Sequence, residues 1–126
     1  MANGKVKTLV PVSYIQIDQD VGRNKEKIVS CRKEIDVLKP QASTAYDAGK
    51  EALLGSNYKK AEEELGKAAE GYSRLADLYS QISNAQIITG DDSFDATISM
   101  VERGTKAEGA KGLRQIAKNT REKKNP

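Results

Sequence analysis

Three carboxylates, Asp91, Asp92 and Asp95, come closest in this chain to a spacing that does chemistry. Carboxylate oxygens gathered on one loop hold hard cations such as Ca²⁺. The stretch lacks the glycine and the terminal glutamate of a calcium hand, so the expected role is helix capping. Asp92 or Ser93 then closes the start of a helix, and Asp95 adds negative charge to its first turn. Glu62, Glu63 and Glu64 are consecutive and point around a helix instead of into one site. The sequence contains no histidine, which removes Ser–His and Cys–His pairs and histidine-bound metals. The single cysteine, Cys31, cannot form an internal disulfide and falls on an apolar stripe, where a small buried hydrophobe is expected. No glycine-rich loop follows a strand to cradle a phosphate. The expectation is a protein without catalytic residues, cofactor or metal.

Charge offers a different chemistry. Residues 1–39 carry 8 basic and 5 acidic side chains, residues 40–102 carry 5 and 11, and residues 103–126 carry 8 and 2. A negative middle followed by a positive end suits a tail that folds back on, or reaches the acidic face of, a neighbouring copy. It also suits contact with an anionic partner or, more simply, a solvated basic terminus. The candidates for an anionic partner are Arg114, Lys118, Arg121, Lys123 and Lys124, whose binding to phosphates falls steeply with salt. No aromatic is interleaved to stack a base, and Glu108 and Glu122 interrupt the run. Nucleic acid is therefore the lesser reading.

The elements that must position these groups are helices. Tyr58, Ala61, Leu65, Ala68, Tyr72, Leu75, Tyr79 and Ile82 recur at alternating gaps of three and four, which sets them on one stripe of one helix. The same cadence links Tyr14, Ile17, Val21, Asn24, Ile28, Cys31, Ile35 and Leu38. A helix with one apolar stripe must lay it on another helix. The pattern predicts an extended arm over 1–12, where valines and Pro11 disfavour helix. Helices follow over about 14–39, ending before Pro40, then over 42–54 and 58–89, with Gly55 and Gly90 as stops. A last helix buries Phe94, Ile98 and Val101, then frays through Gly104, Gly109 and Gly112 and re-forms around Leu113, Ile116 and Ala117. Residues 13–117 make the helical domain and 118–126 a disordered basic tail. The fold class is all-α: an antiparallel bundle of about four helices.

Size and composition agree with one thin-cored domain. Leu, Ile, Val and Phe number 25 of 126 residues, near the border of disorder, but fourteen alanines favour helix and allow close helix approach. No stretch reaches the roughly 18 apolar residues of a membrane span. Lys5 and Lys7 precede an apolar stretch that Pro11 and Ser13 interrupt, unlike a secretory signal. A cytoplasmic protein, or a piece cut from a longer precursor, is expected.

The stretch from Ala45 to Leu78 resembles one tetratricopeptide repeat. Ala45, Ala48 and Gly49 match the small positions of a first helix, Asn57-Tyr58 the turn and opening aromatic, and Ala61, Leu65 and Ala68 the closing positions of a second. A second window from Tyr79 matches loosely, with Ser83 in place of a glycine. The resemblance implies a groove lined by Tyr46, Lys50 and Leu53 from the first pair and by Asn84 and Ile87 from the looser one, receiving a peptide or helix. The functional expectation is a protein–protein interaction module, whether scaffold, chaperone-like adaptor or assembly factor. The alternatives are a self-assembling subunit of a larger particle or appendage, and a nucleic-acid accessory protein using the basic end.

Overall fold

The computed structural model describes residues 2–124, with side-chain detail over 19–123. Three helices follow one another antiparallel: α1 (Ala2–Leu54), α2 (Tyr58–Thr89) and α3 (Phe94–Lys124). No strand occurs among the described residues. α2 is the spine. It packs along its whole length on α1 on one side and on α3 on the other, while α1 and α3 barely meet.

Both turns close with the same hydrogen-bond pattern. At the first, Asn57 N–H donates to the Ala52 carbonyl at 2.8 Å and Ser56 N–H to Leu53 at 3.2 Å. At the second, Asp91 N–H donates to Gln86 at 2.8 Å and Gly90 N–H to Ile87 at 3.3 Å. This pairing satisfies the last carbonyls of a helix and requires one left-handed residue. At the second turn Gly90 supplies it (φ 81°), as the sequence suggests; at the first, Ser56 (φ 61°) does so instead of Gly55. Asn57 then caps α2, its Oδ1 accepting from Lys60 N–H at 3.3 Å.

Four sequence expectations are corrected. The helices expected over 14–39 and 42–54 are one, so the bundle has three helices and not about four. Pro40 removes one backbone donor, yet Pro40 and Asp36, whose carbonyl loses that donor, are both on the exposed side, while Ala42 and Ala45 beyond it are buried on α2. Residues 2–12, expected as an extended arm, belong to α1: the three–four ladder of the helix runs on in sequence through Val10 and Val6, and helical pattern overrides the weak β preference of valine. Residues 118–124, expected as disordered, continue α3, as do the glycines from 104 to 112. Buried Ala107, Ala110 and Ala117 dock that length on α2 and outweigh the glycine cost. Asn125 and Pro126 lie outside the described residues.

The fourth correction concerns which face α3 buries. Phe94, Ile98 and Val101 were expected inside, yet Phe94 is 64% exposed and Val101 56%. The buried side is instead Ala96, Ala107, Ala110 and Ala117, with half-buried Met100 and Arg103 in the same phase. The core is thus built from α2's Leu75, Leu78 and Ile82, all but fully buried, between Cys31, Ile35, Ala42 and Ala45 of α1 and the alanines of α3, with Leu65 in a second, smaller cluster against Ala52 of α1 and Ala117 of α3.

Backbones approach closely where glycine meets a larger residue. A Cβ at Gly49 would stand 2.5 Å from Leu65 Cγ, and one at Gly71 would stand 2.9 Å from Ala42 Cβ. Cys31 facing Gln81, Ala42 facing Gly71 and Gly49 facing Leu65 fix one antiparallel register for α1 on α2. Continued along the helices at equal rise, that register brings the end of α2 level with about residue 23 of α1. The earlier part of α1 therefore runs past α2.

Candidate functional site

The residues assigned to a groove separate into two groups. Tyr46, Lys50 and Leu53 sit near the first turn; Asn84 and Ile87 sit near the second, at the other end of α2. At about 1.5 Å rise per residue the groups stand roughly 30 Å apart along the axis, too far for one short groove. Tyr46 is half-buried, its ring edge-on to Tyr72 with centroids 6.0 Å apart at 82°. Lys50 Nζ lies 4.7 Å from the centre of the Tyr46 ring, and Leu53 packs on the small cluster of Ala52, Ala61, Leu65 and Ala117. Asn84 and Ile87 are exposed.

Tyr72 joins all three helices. Lys106 of α3 stands 5.4 Å over its ring, and Arg103 stands 5.8 Å over that of Tyr79. Cations held over aromatic faces keep α3 seated where alanines give little apolar area. Burial pushes the Tyr72 hydroxyl's pKa up, with the Ser43 hydroxyl and Arg103 pulling it back. These contacts tie the three helices together.

The carboxylates do not gather. Asp91 Oδ2 accepts from Thr89 Oγ1 at 2.7 Å, and Asp92 Oδ1 accepts from Phe94 N–H at 2.9 Å, which is the capping arrangement the sequence suggests. Glu62 faces Arg121 at 2.9 Å and Glu64 faces Lys67 at 3.4 Å, on different sides of α2. Among the described residues no group of three or more possible metal ligands is brought together. Cys31 is buried, its Sγ 3.8 Å from Gln81 Oε1. Burial raises its thiol pKa most, with Lys27 acting against that, so the reactive thiolate is scarce.

The basic candidates line the α2–α3 seam. Arg114 lies across Gly66, and with Lys111, Gln115, Lys118 and Glu62 it rims a recess of about 280 Å³. Arg121 donates its Nε to Glu62 at 2.9 Å, so the positive end does fold back on the acidic start of α2 at this pair. Lys118 and Lys123 are exposed, and the Lys124 side chain lies outside the described residues.

Two features escaped the sequence reading. One is the ion network between α1 and α2: Arg74 donates to both oxygens of Glu34 at 2.7 and 3.0 Å and to Asp77 at 2.8 Å. No local signal pairs residues forty positions apart. The other is the outward apolar face of Phe94, Ile98 and Val101. Its signal was present, since Ala96, Met100, Arg103, Ala107, Ala110, Arg114 and Ala117 keep a strict three–four ladder that competes for the inner face.

The chain matches no family model, no curated protein and no solved structure. The likeness to a tetratricopeptide repeat is limited to the small-residue crossing of Gly49 on Leu65. α1, at 53 residues, is longer than an entire repeat of about 34. α3 does not pack back on α1 as a following repeat would. Among the described residues no helix is long and apolar enough to cross a membrane.

Proposed function

We propose that this chain is a non-enzymatic interaction module, a helical scaffold that works by presenting faces to another protein or to copies of itself. The observation that carries the reading is the outer face of α3. Phe94, Ile98 and Val101, at helical spacing, are exposed, while the fully buried residues of the same helix are all alanines. Ile87 and Ile88, also exposed, precede them across the second turn. Large apolar side chains set at helical spacing on an exposed face, with a separate small-residue face inside, suit recognition by a partner helix or groove. The absence of any histidine and the burial of the one thiol favour a role without catalysis.

The test replaces the outer face and leaves the inner one alone. In F94D/I98D/V101D the helical content and melting temperature are expected to stay near wild type, while association falls by at least tenfold. Association here means solution mass across concentration by light scattering, or recovery of a bound partner. If neither changes, the face is inert and the reading fails. A self-assembling role is the second reading, favoured by the length of α1 beyond α2. Binding of nucleic acid by Arg114, Lys118, Arg121 and Lys123 gains no comparable support, because Arg121 is engaged by Glu62 and no aromatic joins the group.

A further inference from the structure

α1 continues past the end of α2, and in sequence its α2-facing stripe does not stop there. The stripe that lays Ile28, Cys31, Ile35 and Leu38 on α2 runs back at the same three–four spacing through Val21, Ile17, Tyr14, Val10 and Val6. With α2 ending at Thr89, level with about residue 23, these five positions fall on the part of α1 that continues beyond α2. Residues 2–22 are also poor helix formers alone, with Gly4, Pro11 and seven β-branched residues. A helix of this composition takes its stability from something laid against its stripe.

We infer that this overhang is a self-association element, in which the first turns of α1 from two copies pair antiparallel. The inference rests on the reading that the chain acts by presenting helical faces, and it names one partner, a second copy. Charge selects both occupant and direction. The segment is positive at one end, with Lys5 and Lys7, and negative at the other, with Asp18 and Asp20. In an antiparallel pair centred between Ser13 and Tyr14, Val6 meets Val21 and Val10 meets Ile17. The same register sets Lys7 of each copy level with Asp20 of the other, with Lys5 and Asp18 two positions to either side of that pair. A parallel pair sets lysine against lysine and aspartate against aspartate. Opposite charges flanking an apolar seam choose orientation in paired helices. Asp20 also pairs with Arg23 in its own helix. A two-fold axis through the centre makes the interface self-complementary and closes it at two copies.

The experiment measures the mass of the full chain by light scattering and sedimentation across concentration, with circular dichroism of every variant to show that the α1–α2–α3 core still melts as wild type. Expected are a dimer for the wild type and a monomer for V10E/I17E. K5D/K7D should weaken the dimer roughly tenfold, and K5D/K7D/D18K/D20K should restore it. Gln19→Glu, off the stripe, should leave it unchanged. A wild type that stays monomeric overturns the inference, as does a dimer indifferent to V10E/I17E or a fourfold swap that fails to restore. In the indifferent case, sensitivity of that dimer to F94D/I98D/V101D preserves the interaction reading while removing this element from it.

Discussion

The two seams that hold α2 are built from different materials. Against α1 it packs leucine and isoleucine on Cys31, Ile35 and half-buried Ile28 and Leu38, and it lets backbones close in at Gly49 and Gly71. Against α3 it meets alanines, supplemented by the Ser83–Thr97 hydroxyl pair at 2.8 Å, the Glu62–Arg121 ion pair and cations over Tyr72 and Tyr79. A buried alanine removes far less apolar surface from water than a leucine. The second seam is therefore the weaker one per turn and depends more on polar ties. Its helix leaves Phe94, Ile98, Val101 and Ile116 exposed. The difference teaches where stability resides: α1 and α2 make the frame, α3 is the element more easily peeled away, and on the reading proposed above it is also the one offered to a partner.

The largest expected effect breaks both seams together. Leu75, fully buried on α2, belongs to the cluster that touches all three helices. Leu75→Ala should cost about 3 kcal/mol in urea unfolding, with both seams loosened. Gly49→Val tests the first seam alone: the added carbons meet Leu65, and a loss of about 1–3 kcal/mol is expected. A stability within 0.5 kcal/mol of wild type would show the approach to be less close than Leu65 implies. For the second seam, Ser83→Ala leaves Thr97 without its cross-helix partner and should cost about 1 kcal/mol. Hydrogen exchange should then report faster opening in α3 than in the part of α1 beyond residue 28; equal protection would contradict the contrast between seams.

The polar tie of the first seam answers to pH. Donation from Arg74 holds the Glu34 carboxyl below the usual glutamate range. A carboxyl with a depressed folded-state pKa adds stability above its ordinary range, and that stability is lost as pH falls through the lowered value. Both partners are largely solvated, so the effect is small. Glu34→Gln should flatten the acid limb of the stability curve slightly and leave the alkaline limb unchanged. The smallest expected change is a gain. Ser56 occupies a left-handed position that Gly90 fills at the matching turn. Ser56→Gly should add about 0.5–1 kcal/mol to thermal stability.

Much of the frame was legible. α2 lies where its ladder and its stops set it, because Asn57 and Gly90 are local signals read by local chemistry. The start of α3 was legible for the same reason, through Asp92. Pro40 misled because proline's cost is local while its compensation, Ala42 and Ala45 seated on α2, is tertiary. The buried face of α3 misled through size: a ladder of alanines is quieter than Phe94, Ile98 and Val101, yet close approach to α2 selects the smaller side chains. The groove residues Tyr46 and Ile87 were grouped by analogy of repeats, and the length of α2 keeps them apart.

Cys31 gives the frame a built-in clock. The residue is 5% exposed, and burial holds its thiol proton more tightly than a free thiol's. An alkylating reagent can reach it only during the moments when α1 lifts away from Gln81 and Ile82. The rate at which the native, unmodified chain takes up one label therefore times those excursions directly, and any ligand that clamps the long rod against the spine will slow it.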